Sequence, residues 1–391
     1  MKKKTFIKIG VISGAIIIAV TTILIKMFTL PADIEFTKTI NTPDLPVVSE
    51  LTTGDYREKA TAVDGRIIQG TSGPARPTAS TAKMILGLAI MKEKPFPLGS
   101  KGETITITLD YFNKYIWYNT HNGSTTRVSI GEEISQYDAL VSIFLASSNN
   151  MADTLAIWTF GSLEGYQSYA TSMLQEMGII NTTIGIDASG YSETTTSTAE
   201  DLARIAAELL KDPVLREIVS LKNHVVPVAG ELKNTNQILG ESLENNRVIL
   251  GVKTGYIGDI SGYNLVSAYE LDSHFVTEAL LGASTRQGSF ISSKEELQKL
   301  SREVNLTTIS DKNQPVGYYE TWWNGRHEIY ADEELKILGI QGDSLEIDLS
   351  ENELKATLNG EEATISTHYE SFLKSPSIWE RFLHVFGWTY K

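Results

Sequence analysis

The sequence predicts an α/β domain, a sheet with a helical region, followed by a small all-β domain and preceded by a transmembrane helix. Three observations predict this. Strand-like segments flank a helix-rich middle across residues 56–290. Short alternating segments with NG and GD turns recur from 305 to 368. The run IGVISGAIIIAVTTILI carries no charge from Ile9 to Ile25.

At the N-terminus, that run is 17 residues long, the lower limit for a bilayer core of about 30 Å. Lys8 and Lys26 can snorkel from its two ends. Lys2, Lys3, Lys4 and Lys8 favour a cytoplasmic N-terminus, which puts the rest of the chain on the extracytoplasmic face. A cleaved signal peptide is the competing reading. It needs small residues in an A-x-A pattern, and KMFTLPADIEF after Ile25 offers none. The expected localisation is therefore the cell membrane, single-pass, with residues 1–30 as cytoplasmic tip and signal-anchor. Residues 31–55 are polar, contain Pro31, Pro43 and Pro46, and read as a stalk.

Within 56–290, Val63–Ile68 with Asp64-Gly65 reads as a hairpin. STAKMILGLAIM is apolar on nearly every face and predicts a buried helix starting near Ser80. TITITL at 104–109 alternates as a strand does. Ser135-x-x-Asp138 and Ser197-x-x-Glu200 read as helix starts. Val248–Val252 and Gly262–Ala268 predict paired strands around a glycine-rich turn. A polar connecting helix is expected over 291–304, the β domain over 305–368, and an amphipathic tail over 369–391. In the tail, Ile378, Phe382 and Phe386 share a helical face. It can lie in a membrane interface or pack on the β domain, and both readings stay open.

Composition narrows the function. The net charge of -14 argues against nucleic acid as a partner. No cysteine is present, so disulfides, thiol nucleophiles and thiolate metal sites are excluded. The six histidines are scattered without HExxH-type spacing, so no metal and no cofactor is expected. No G-x-S-x-G elbow appears, which disfavours a His-dependent α/β-hydrolase.

Three short motifs stand in order: Ser80-Thr-Ala-Lys83, Ser147-Ser-Asn149 and Lys253-Thr254-Gly255. S-x-x-K alone is weak, since about one or two chance copies are expected in a chain of this length. Ser371-x-x-Lys374 is such a copy. The ordered combination is specific. Positions i and i+3 share one side of a helix, so Lys83 can point its amine at the Ser80 oxygen. Serine is a poor nucleophile until a base takes its proton. Lys83 can be that base when neutral, which burial and a nearby cation such as Lys253 both favour. Ser147 can relay the proton to the leaving amine. Asn149 can orient Lys83 and a substrate amide, while Lys253 and Thr254 can hold a terminal carboxylate. Gly255 permits close approach of the strand. The N–H groups of Ser80 and Tyr256 then supply the oxyanion hole. Against a purely structural reading stands Lys83 itself, inside an apolar run where an unpaired lysine is costly.

With these residues in hand, the chain resembles the low-molecular-mass penicillin-binding proteins, the serine-type D-alanyl-D-alanine carboxypeptidases, over about residues 55–290. RPTASTAKMI, LASSNNMADTLA, GVKTGYIGDISGYNLVSA and Asp187-Ala-Ser-Gly190 carry the resemblance beside the three motifs. It implies a β-lactamase-like α/β domain with the site between sheet and helices. It implies removal of the terminal D-alanine from peptidoglycan stem pentapeptides through an acyl-enzyme, and inhibition by penicillins. Thr78 and Asn150 depart from the family's frequent proline and aspartate, and the clear anchor is N-terminal. A serine β-lactamase is the alternative, but no E-x-x-L-N stretch follows S-x-N to supply a deacylating glutamate. Transpeptidase or endopeptidase action on the same wall peptides shares the acyl-enzyme and stays open. So does a non-catalytic wall-binding paralogue.

Overall fold

The computed structural model describes residues 18–27, 35–37, 43–71, 73–321, 325–350, 352–369 and 376–386. It forms two compact units, one of residues 48–304 and one of 1–47 with 305–391.

The larger unit is built on a five-stranded antiparallel sheet. Its strands are β1 (Glu58–Val63), β2 (Arg66–Gly70), β3 (Leu250–Gly255), β4 (Tyr263–Leu271) and β5 (His274–Ala283), in the spatial order β3-β4-β5-β1-β2. The hairpin expected at Asp64-Gly65 joins β1 to β2. The expected pairing of β3 with β4 is present, with Lys253 opposite Val266 and Gly255 opposite Asn264. Strand β3 lies at the sheet edge, so its last residues are free to face a groove.

Both sheet faces are covered. Thr277 donates its hydroxyl to the Ala203 carbonyl in α6 (Ala199–Lys211), while neighbouring Glu278 accepts from Ser293 in α8 (Arg286–Glu303). Adjacent strand residues point to opposite faces, so α6 and α8 lie on different sides. Beyond α6 stands the helical region. It contains α1 (Lys83–Glu93), α2 (Leu109–Thr120), α3 (Gln136–Phe144), α4 (Asn149–Phe160), α5 (Leu163–Glu176) and α7 (Pro213–Ser220). One core runs through it and onto the sheet, from Ile85 and Leu86 through Phe144 and Leu202 to Val252 and Val266.

Local chemistry sets the helix starts. Ser135 caps α3 by accepting from Asp138 N–H, as its spacing predicts. Thr198, one residue beyond the expected Ser197, caps α6. The TITITL strand is shorter than expected, Thr104–Thr106, because Thr108 caps α2 through Tyr111 N–H and turns Leu109 into a helix residue. The polar helix read over 291–304 forms the later part of α8, which lies on the sheet.

The segment read as a stalk is not a free tether over its described residues. Glu35–Thr37 pairs with Tyr318–Glu320 in the smaller unit. Residues 49–55 are tied along α8, with Ser49 bonded to Glu303 and Thr52 to Glu296. These serine and threonine groups find partners in carboxylates of α8, which removes the reason for the strand to stay solvated.

The smaller unit holds a six-stranded sheet of Glu35–Thr37, Pro315–Thr321, Gly325–Ala331, Glu361–Tyr369, Glu353–Leu358 and Leu345–Leu349. Its core includes Ile329, Leu335, Leu349 and Leu354. Ile378–Val385 forms a helix closed by a Ser377–Glu380 capping box, and none of its residues is buried. Residues 18–27 are helical. Among the described residues no helix is long and apolar enough to cross a membrane. Residues 9–17 of the anchor read from sequence lie outside the described residues.

Candidate active site

Ser80 sits in a 3₁₀ turn, Ala79–Ala82, that runs into α1. Ala79 has φ +49°, a left-handed conformation that costs an alanine roughly 1–2 kcal/mol. The surroundings hold it there. Asn264 on β4 donates to the Pro77 and Thr78 carbonyls, and accepts from Gly282 N–H on β5. The buried amide thus ties the turn to two strands. Across the groove, a Cβ at Gly255 would meet Thr78 O at 2.9 Å and Ser80 N at 3.1 Å. Glycine is what lets β3 approach the nucleophile's backbone so closely.

Lys83 is fully buried. Its Nζ lies 2.9 Å from Ser80 Oγ, 2.8 Å from Asn149 Oδ1 and 2.8 Å from the Ser189 carbonyl oxygen. The last two groups can only accept. A neutral amine has two N–H donors and one lone pair, so these acceptors use both donors and leave the lone pair for the Ser80 hydroxyl proton. Burial pushes the Lys83 amine well below its usual range, and the charge of Lys253 pushes the same way, against the carboxylates of Asp187 and Asp153. Those carboxylates are engaged. Asp187 accepts from Ser189, Tyr191 and Ser192, and Asp153 from Lys114, Tyr118 and Ala188.

Ser147 carries the second motif, at φ +58° just before α4. Its hydroxyl accepts from Lys253 Nζ at 3.0 Å, and Lys253 also donates to the Thr254 carbonyl. Burial lowers the Lys253 amine to about 7. Ser148 caps α4 and so fixes where Asn149 points. Asn150 donates to the Thr126 carbonyl and accepts from Thr126 N–H. An aspartate could not make both bonds.

A cleft of about 330 Å³ opens over these groups. It is lined by Ser80, Ser147, Thr254, Gly255 and Tyr256 of the predicted set, together with Ser124, Thr235, Tyr263, Asn264, Arg286, Ser289 and Phe290. Lys83, Asn149 and Lys253 stand behind its wall. All eight predicted residues therefore converge. Lys253 reaches Ser147 rather than the open cleft, and the groups facing a ligand there are Thr254, bonded to Thr235 at 2.6 Å, and Arg286. The ring of Tyr256 stacks on Tyr263 at the rim. Among the described residues no group of three or more His, Asp or Glu could hold a metal ion.

Sequence reasoning missed Asn264, the Ser189 carbonyl, Thr235 and Arg286. Asn264 had a signal, a polar residue opening the apolar strand NLVSAY. The Ser189 contribution is backbone and leaves no side-chain signature.

Known proteins resemble the chain in sequence and in fold. D-alanyl-D-alanine carboxypeptidase DacC of Escherichia coli (strain K12) is 27% identical over 203 residues, 51% of this chain and 49% of the relative. The chain spans about half the length of the curated relatives it matches. Penicillin binding protein 5 from Haemophilus influenzae superposes with a TM-score of 0.60 at 17% identity, covering 82% of this chain and 98% of that one. A point mutant of the Streptomyces K15 DD-transpeptidase gives 0.55 at 20%, covering 63% and 98%. These two show a shared fold. The family model described as D-alanyl-D-alanine carboxypeptidase matches residues 64–285, more than half of the chain and the span that holds every residue of the three motifs, so the chain belongs to that family.

Proposed function

We propose that the protein is a serine-type D-alanyl-D-alanine carboxypeptidase that removes the terminal D-alanine from peptidoglycan stem pentapeptides and is acylated by penicillins. One observation carries the reading: a buried Lys83 amine, its proton weakened by burial and by the charge of Lys253, 2.9 Å from the Ser80 hydroxyl in an open cleft.

The steps follow from the groups. Ser80 Oγ attacks the carbonyl carbon of the penultimate residue while Lys83 takes its proton. The oxyanion is met by the N–H groups of Ser80 and Tyr256. Lys83, now an ammonium, returns the proton through the Ser147 hydroxyl to the departing nitrogen. The C–N bond breaks and D-alanine leaves. Asn149 and the Ser189 carbonyl hold Lys83 in place throughout. Water then attacks the ester carbon as its proton passes to the neutral Lys83; the ester C–O bond breaks, Lys83 returns that proton to Ser80 Oγ, and the shortened peptide leaves with a free carboxyl group. Thr254, Thr235 and Arg286 meet the substrate's terminal carboxylate, with Lys253 adding its charge from behind. A guanidinium suits a carboxylate because its planar donors match both oxygens.

No carboxylate lines the cleft, and Asp153 and Asp187, which act on Lys83, are already bonded. A β-lactamase of class A needs a glutamate and water for deacylation, so a penicillin adduct should be long-lived here. We further propose a membrane-anchored protein with its catalytic unit on the extracytoplasmic face. The apolar run at 9–25 and its flanking lysines support this. So does the tail helix, which exposes Ile378 and Trp379 at 67% and 64% and whose Arg381 donates to the Met27 carbonyl. An amphipathic helix beside such a segment suits a membrane interface.

The test is incubation of the chain and its Ser80→Ala variant with a labelled penicillin and a D-Ala-D-Ala peptide. Wild type should form a covalent adduct at Ser80 and release one D-alanine, and the variant should do neither. Adduct without release points to transpeptidase or endopeptidase action. Neither event in a folded protein leaves a wall-binding role.

A further inference from the structure

We propose that Asp55 is a positioning residue for the cleft: it fixes the first turn of α8 and thereby holds Arg286 against the substrate's carboxylate. The proposal rests on the reading of the site given above.

Arg286 is the first residue of α8, directly after the helix cap Thr285. Its aim depends on how that cap is held. Asp55 holds it with both carboxylate oxygens. Oδ1 accepts from Ser284 N–H at 2.7 Å. Oδ2 accepts from the Ser284 hydroxyl, Thr285 N–H and the Thr285 hydroxyl at 3.0, 3.0 and 3.1 Å. The Thr285 oxygen in turn accepts from Gly288 N–H at 2.9 Å. With its own proton given to Asp55, that oxygen presents a lone pair to the helix. Burial acts to raise the Asp55 carboxyl, but the bonds from Ser284 and Thr285 outweigh it and hold the group below its ordinary range. A carboxylate at a helix N-terminus also meets the positive end of the helix dipole.

The fit is tight. A Cβ added at Gly288 would lie 2.0 Å from Asp55 Oδ2. The segment bearing Asp55 is also anchored beyond the cap, along later turns of α8. Asp55 N–H donates to Ser292, Thr52 bonds Glu296, and Lys299 donates to the Ser49 and Glu50 carbonyls. At the other end, Arg286 Nη2 donates to the Thr235 carbonyl at 3.1 Å, and its guanidinium lies 5.9 Å from the Phe290 ring centre. Thr235 is the partner of Thr254. Arg286 is thus held between Asp55, through the cap, and the threonine pair of the cleft.

The experiment measures acylation of the full chain in detergent by a labelled penicillin and by its methyl ester, which lacks the carboxylate. Wild type should prefer the free acid. Asp55→Ala should cut the acid-to-ester ratio of acylation rates roughly tenfold, the scale of one misplaced charge-assisted bond. The ester rate itself should stay nearly constant. Gly288→Ala, which displaces the carboxylate without deleting it, should act in the same direction. Arg286→Ala should collapse the ratio, and adding Asp55→Ala to it should change nothing more. A merely structural Asp55 would slow acid and ester alike, or would act as strongly without Arg286, and either result overturns the proposal. If wild type takes neither reagent, the reading of the site itself fails before any variant is compared, and the proposal falls with it.

Discussion

Two buried lysines share this site, and their protons decide its pH dependence. In the proposed mechanism Lys83 works without its proton, and its amine is lowered by burial and by the charge of Lys253. Lys253 works with its proton, and burial brings it to about 7. The charge of Lys253 acts on Lys83 beyond burial and favours loss of the Lys83 proton. Because kcat/KM reports the free enzyme, it should climb with pH as Lys83 is freed of its proton. It should fall again as pH passes about 7, where Lys253 loses the charge that supports carboxylate binding. The two groups interact, so the limbs belong to the pair. Lys253→Arg keeps a charge at all accessible pH. Its activity should be lower, but its profile should lack the alkaline limb near 7. An alkaline limb at the same place in that variant would show that another group titrates there. The motifs made both lysines legible because catalysis demands fixed local spacing, i to i+3 for Ser80 and Lys83. Arg286 was not legible, since a single arginine after a helix cap looks like any solvated charge until the fold brings it to Thr235.

Two elements cross at the nucleophile, and a third is misread without them. The residues leading into the 3₁₀ turn of Ser80 are tied to β4 by Asn264, whose amide makes three bonds to Pro77, Thr78 and Gly282. Asn264→Ala leaves two carbonyls and an N–H without that partner in a buried place. A loss of about 2–3 kcal/mol in stability follows at one unsatisfied group or more. The penicillin acylation rate should fall by more than stability alone explains, because Ala79 and Ser80 lose what holds their turn. Thermal unfolding and acylation kinetics on the same variant separate the two effects. A slowed acylation with unchanged melting would fit a pure positioning role, and full-rate acylation would refute any role of Asn264 in the site. Asn264 was only half legible, as a polar residue at a strand start. The reading of α8 as a polar connector has a clearer cause. Hydrophobic periodicity is the signal for a packed helix, yet α8 buries Ser289, Ser292, Ser293, Glu296 and Lys299. Glu296 lies 2.7 Å from Lys299 and 3.5 Å from Lys59, all buried. On that face Phe290, Leu297 and Leu300 are interrupted by ion pairs and hydroxyls, so the apolar stripe is diluted and the sheet beneath it stays hidden in the sequence.

At the scale of the molecule, every residue of the site lies within the unit 48–304. That unit has its own sheet and its own core. The sequence showed the change of character near 305, where alternation with short turns begins. It did not show that the catalytic unit starts at 48, because residues 48–57 have no apolar pattern and are held largely by hydrogen bonds. Those bonds make the strap part of the fold. Removing it strips Thr52 and Lys59 contacts from a buried cluster: Thr52 donates twice to Glu296, and Lys59 donates to Thr52. Glu296 then loses two donors and keeps Lys299 and Lys59, which costs about 1–3 kcal/mol. Two chains test this. One of residues 48–304 should unfold in a single transition and be acylated by penicillin within about twofold of the full chain, since a domain with its own core can fold alone. One of residues 58–304 should melt far lower or fail to fold, although it retains all eight residues of the predicted site. Equal melting of the two would mean that the strap is an accessory to the fold. A slow but folded 48–304 would instead show that the smaller unit contributes to catalysis.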